Sequence, residues 1–145
     1  MRPPNALELV GPERTLHPDQ EEVLKHFLGK SQEEARDFYT GRGHYITEDF
    51  SYMTIEGLRY YLPPFLDYLK TDDAKHEFLA GYGVVSGLAH RIESESSFPQ
   101  DVLEVAKQIA AYVKQHCKRF NISPYDEQFQ HNLKVIQGAK SKTTG

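Results

Sequence analysis

Residues 54–69 constrain this chain more than any other stretch. They read Thr54, Ile55, Glu56, Gly57, Leu58, Arg59, Tyr60, Tyr61, Leu62, Pro63, Pro64, Phe65, Leu66, Asp67, Tyr68 and Leu69. This is the densest apolar and aromatic run in the molecule, and a proline pair cuts it. With Thr54 as N-cap, Leu58, Tyr61 and Leu62 fall on one helical face. Pro63 removes a backbone donor, crowds the preceding turn and pushes Leu62 away from the α region. The spacing predicts a helix that breaks or kinks at Pro63, with Pro64 opening a new turn that buries Phe65, Leu66 and Leu69. Tyr61, Leu62, Phe65 and Leu66 are expected in the core.

The flanking sequence is punctuated for helices. Pro3, Pro4 and Pro12 predict an irregular N-terminal arm over residues 1–16. A helix should start at Pro18, with Asp19, Glu21 and Glu22 in its first turn. Its stripe is Val23, Leu24, Phe27 and Leu28, and Gly29 ends it. Ser31 and Glu34 form a capping box for a short helix burying Ala35, Phe38 and Tyr39, stopped by Gly41 and Gly43. Residues 41–53 read as a connection. Asp72 or Asp73 should cap a helix carrying Phe78, Leu79, Val84, Val85, Leu88 and Ile92. Pro99 begins another, with Val102, Ile109, Cys117 and Phe120. Ser123 and Pro124 begin the last, with Phe129, Leu133 and Ile136, and Gly138 stops it. No strand-length alternation occurs. The expected fold is all-α: one domain of five to six helices over residues 17–138, the arm before it and a flexible tail at 139–145.

The 145-residue length suits one core, and 39% hydrophobic residues with a mean hydropathy of -0.62 suit a well-wetted surface. No apolar run approaches the roughly 18 residues of a membrane span. The first five residues carry one positive charge with no apolar segment behind it, so no secretory leader is expected. Cys117 is the only cysteine, which excludes an intramolecular disulfide and favours a reducing cytoplasm. A net charge of -4 argues against the basic footprint of nucleic-acid binding and is compatible with a basic protein partner.

The motifs that usually carry chemistry are incomplete. Seven histidines are present, but no His-Glu-x-x-His pair or second cysteine accompanies them, so no metal site is expected. His44 and Glu48 are four apart, as on one helix face. Gly81, Gly83 and Gly87 imitate a phosphate loop, yet their flanks are helical, and close helix packing accounts for them better. Cys117 follows His116 directly, and neighbours on a helix diverge, so they make no nucleophile and base. Neither a catalytic residue nor a cofactor is expected. Residues 39–52 look instead like an interaction surface: Tyr39, Arg42, His44, Tyr45, Glu48, Asp49 and Tyr52 combine aromatic area, an arginine and acids. Tyrosine and arginine are enriched among interface hot spots.

Thr54, Glu56, Leu58, Arg59, Tyr60, Tyr61, Leu62, Pro63, Phe65 and Leu66 carry one resemblance. Over residues 47–79 the chain resembles a family of short bacterial proteins of unknown function, with a Tyr-Tyr-Leu-Pro-x-Phe-Leu core and a helical C-terminal half. That resemblance implies a shared fold and no catalytic residue. In size and style such chains look like immunity proteins or antitoxins. The expected function is non-enzymatic: an immunity protein that neutralises a basic toxin by direct binding. The alternatives are a small cytoplasmic enzyme or metal-dependent hydrolase built on His44, Glu48 and Asp49, and a regulatory or scaffold module.

Overall fold

The tyrosine-rich run forms one unbroken helix in the computed structural model, which describes residues 1–12 and 15–142. Helix α5 (Ile55–Leu69) starts where Thr54 Oγ1 accepts from Gly57 N at 3.1 Å. It passes straight through Pro63 and Pro64, so the expected break is absent. The reason lies in what happens to the carbonyls that the prolines strand. Pro64 cannot donate to the carbonyl of Tyr60, four residues back. Gln32 Nε2 donates to that carbonyl instead, at 2.8 Å. One residue further, where Phe65 can still donate from within the helix, the Tyr39 hydroxyl adds a bond to the Tyr61 carbonyl, also at 2.8 Å. A donor from a neighbouring helix thus offsets the bond that Pro64 cannot make.

Eight α-helices are present among the described residues, against the five to six expected. Ahead of α5 come α1 (Ala6–Val10), α2 (Pro18–Phe27), α3 (Gln32–Tyr39) and α4 (Gly43–Phe50). After it come α6 (Phe78–Ser94), α7 (Gln100–Gln115) and α8 (Glu127–Gly138), with short 3-10 turns at Asp72–Ala74 and Cys117–Phe120. The two unexpected helices lie in segments read as irregular. In α1, an Asn5–Glu8 capping box starts a helix that buries Leu9 and Val10, so part of the expected arm belongs to the core. In α4, Gly43 starts a helix rather than stopping one, although no side chain caps it. The expected box at Ser31 and Glu34 opens α3, whereas α8 is capped by Asp126 rather than Ser123.

Two central helices organise the packing. Helix α5 is flanked by α1, α3 and α7, and α6 by α4, α7 and α8, so α7 bridges the two halves. No strand occurs among the described residues. An isolated antiparallel bridge joins Phe98 to Lys142, tying the start of the expected flexible tail back to the body. Residues 143–145 of that tail lie outside the described residues. Helix α6 starts later than expected, at Phe78, because the chain first turns at Asp72–Ala74 and takes a left-handed φ of 67° at His76.

The core is aromatic on the α5 side. Phe65 meets Tyr39 at 5.1 Å and Phe50 at 5.2 Å between ring centroids, both edge to face. Phe27 lies 4.7 Å from Tyr61. Edge-to-face packing of this kind adds to the gain from burial alone. The Tyr61 hydroxyl lies 2.8 Å from both the Phe27 and Lys30 carbonyls. Burial pushes the Tyr68 phenol up to about 12, and its ring lies directly over Gly43. A Cβ at Gly43 would lie 2.3 Å from the Tyr68 oxygen, so no other residue fits there without displacing that ring. Tyr61, Leu62 and Phe65 are fully buried, and Leu66 is half-buried against the core.

Phe65→Ala should cost about 3–5 kcal/mol in denaturant unfolding, since nothing adjacent can collapse into the gap without moving other rings. Gln32→Ala should cost about 1–3 kcal/mol by leaving the Tyr60 carbonyl unpaired. In a Pro64→Ala background the helix can supply its own donor, so the cost of Gln32→Ala should fall by at least half. Equal costs in both backgrounds would show that Gln32 does not compensate for the proline.

Candidate functional site

Helix α4 splits the expected surface by its own periodicity. Gly43, Ile46, Thr47, Asp49 and Phe50 face inward, while His44, Tyr45 and Glu48 are exposed. Tyr39, at the end of α3, is fully buried in the aromatic core, and burial pushes its phenol well up. Asp49 is buried as well. Neither can meet a partner from where it stands, and both leave the expected binding set. Arg42 is exposed but held, with its guanidinium 4.5 Å over the Phe38 ring and donating to the Phe38 carbonyl at 3.1 Å. Tyr52 is 40% exposed and stacks on His17 at 5.9 Å. The Asp19 carboxylate beside it pushes its phenol up.

Across from α4, helix α6 completes a groove of about 280 Å³. His44, Thr47, Glu48 and Ser51 form one wall, and Leu79, Tyr82, Gly83, Ser86 and Gly87 the other. The two helices approach closely because Gly83 has no side chain: a Cβ there would lie 2.8 Å from Thr47 Oγ1. Gly81 likewise admits Phe120, as close packing of the glycines predicts. At the groove's mouth the His44 ring meets Tyr45 edge-on at 4.8 Å, and its Nδ1 lies 3.9 Å from Glu77. Phe78 and Leu79, expected in the core stripe, are 40% and 50% exposed. They occupy the first turn of α6, and Phe78 stacks on Tyr82 at 5.0 Å. Their placement depends on where α6 begins, which periodicity alone did not locate.

His26 is the residue sequence reasoning missed. Its Nδ1 lies 2.6 Å from Asp49 Oδ2, and its Nε2 lies 3.3 Å from Glu22 Oε2 one turn back on α2. Phe38 and Tyr45 flank the ring at 5.5 and 6.4 Å. The Glu22–His26 spacing is visible in the sequence, but the approach of Asp49 from α4 is not. The pair ties α2 to the inner side of α4 and so supports the exposed face. Both ring nitrogens face carboxylates, so neither is left to activate a nucleophile.

His44, Glu48 and Asp49 are not brought together as an enzyme would need. Asp49 turns inward to His26, while the other two face solvent. Among the described residues no three His, Cys, Asp or Glu side chains converge as metal ligands. The Cys117 thiol is buried, lies 3.2 Å from the Lys114 carbonyl and is pushed up by that burial. No helix among the described residues is long and apolar enough to cross a membrane.

Burial raises the Asp49 carboxyl above its ordinary range, against the opposing pull of His26. The folded carboxyl therefore takes up its proton at higher pH than the unfolded one. Its contribution to stability falls as pH rises from about 4 through the raised folded value. Across that interval wild type should lose stability relative to Asp49→Asn in urea unfolding at a series of pH values. Parallel curves would count against the raised carboxyl. Compared with protein-family models, with curated proteins and with solved structures, the chain matches none of them.

Proposed function

We propose that this chain is a non-enzymatic binding protein that docks a basic protein partner over the α4–α6 groove. The observation that carries this reading is the charge and chemistry of the groove. Tyr45 is exposed beside His44, Phe78 stacks on the wall residue Tyr82, and half-exposed Leu79 lines the cleft. Glu48 lines it and Glu77 stands at its mouth. Asp126 sits beside Tyr82, whose hydroxyl donates to it at 3.3 Å. Among the described residues no lysine or arginine lines the cleft. Apolar anchors inside an acidic rim suit a partner with basic side chains around an apolar contact.

The partner is a basic toxin domain and the chain its immunity protein or antitoxin, acting by direct association in the cytoplasm. Small size, a net charge of -4 and the resemblance over residues 47–79 support this assignment. Acidic inhibitors of basic toxins gain both association rate and specificity from opposite charge. The binding set is Arg42, His44, Tyr45, Glu48 and Tyr52 from the sequence, joined by Phe78, Leu79 and Tyr82. A toxin gene immediately upstream supports this reading, and a metabolic operon supports an enzyme.

Binding kinetics with the toxin test it. Glu48→Lys should slow association and flatten its salt dependence, leaving folding intact, because an exposed charge adds little to stability. Tyr45→Ala and Leu79→Ala should act on dissociation, by about tenfold for each 1.4 kcal/mol lost. Unchanged kinetics in all three variants would remove the groove from the interface.

A further inference from the structure

At one end of the molecule cationic side chains gather beside Asp72 and Asp73. There, the Asp72–Ala74 turn after α5 meets the Cys117–Phe120 turn after α7. A hollow of about 470 Å³ is lined by Lys75, His76, His116, Lys118 and Arg119, and among the described residues no acidic side chain lines it. A second hollow, of about 700 Å³, shares Lys118 with the first. Lys114 also lines it, and Cys117, Ile122 and Pro124 give it an apolar side.

Cations often gather at helix C-termini, where they complement the exposed carbonyls. That explains Lys114 in the last turn of α7 and His116 at its C-cap. It does not explain Lys75, His76, Lys118 or Arg119, which lie outside the α-helices. Arg119 is fixed from behind: its Nε donates to the Leu69 carbonyl at 3.3 Å, and Nη2 donates to the Thr71 carbonyl. Among the described residues Nη1 has no hydrogen-bond partner. His76 holds its left-handed φ of 67° while its N–H donates to the Arg119 carbonyl at 2.9 Å, so the backbone joins the two. The His116 ring packs on Tyr112 at 4.4 Å. Lys75 is engaged by Asp72 at 3.2 Å, an exposed pair that a stronger anion can displace.

We propose that the two hollows together bind a small organic phosphate. Its phosphate oxygens take the cationic hollow, and its organic part lies over Ile122 and Pro124. A guanidinium held in one orientation with lysines beside it is the usual protein complement of a phosphate group. The adjoining apolar side distinguishes this site from one for a bare inorganic anion. It lies apart from the α4–α6 groove and does not depend on the toxin reading.

The test is a titration of the full chain at low salt, with adenosine diphosphate and inorganic pyrophosphate as separate probes, read by amide chemical shifts. Saturable shifts should be confined to residues 75–76 and 114–123, with Asn121 and Ile122 moving for adenosine diphosphate and not for pyrophosphate. Lys75→Glu and Lys118→Glu, both at exposed side chains, should each weaken adenosine diphosphate by about tenfold or more. Three results would overturn the proposal: no saturable shift at millimolar nucleotide, shifts spread over lysines elsewhere, or unchanged affinity in both variants. Equal affinity for the two probes would overturn the role of the apolar side and leave a bare anion site.

Discussion

The fold depends on how the carbonyl that Pro64 strands in α5 is satisfied. Consecutive prolines inside a helix remove two donors, and a buried carbonyl without a partner costs free energy on the scale of a whole hydrogen bond. Here the compensation at Tyr60 comes from the Gln32 amide on α3, and the Tyr39 hydroxyl at the other end of α3 adds a bond to the Tyr61 carbonyl. Those bonds do more than rescue α5. They set the register of α3 against it, which places Tyr39 edge-on to Phe65 and brings Phe27 and Phe50 around them. A feature that reads as a defect in one helix thus fixes the packing of two.

Buried polar groups then brace the exposed face of α4 from behind. Arg91 on α6 is 6% exposed, and its guanidinium donates to the Phe50 carbonyl at the end of α4 at 2.7 Å. Glu95 accepts from it as well, at 2.8 Å. On the other side of α4, Asp49 is held by His26 from α2. Removing one member of such a pair leaves an uncompensated buried charge, which costs far more than the intact pair contributes. The pairing therefore serves position more than stability. It keeps α4 fixed between α2 and α6, so that Tyr45 and Glu48 are presented on a rigid base.

The surface is electrically divided. Glu48, Glu77 and Asp126 stand around the α4–α6 groove, while lysines, histidines and Arg119 gather where α5 and α7 end. A net charge of -4 hides that division. Composition alone argues for one kind of partner, whereas the fold offers surfaces of opposite sign at separate places. Local field and not net charge decides what each surface can attract.

The sequence by itself determined the helical class, the capping box at Ser31, and the burial of Tyr61, Leu62 and Phe65. Each of these depends on spacing of 3.6 residues or on a local side-chain-to-backbone bond, and both are readable within a few residues. The tertiary structure decided the rest. Whether Pro64 breaks α5 depended on a donor from Gln32, more than twenty residues away in the chain. Whether Gly43 stops a helix or opens one depended on Tyr68 lying against it. In the candidate site, Tyr45, Glu48 and Tyr52 are exposed, whereas Tyr39 and Asp49, which look the same in sequence, are buried. Asp49 and the Tyr39 hydroxyl go inside to partners, and His26 and the Tyr61 carbonyl come from elements that composition and periodicity cannot bring together.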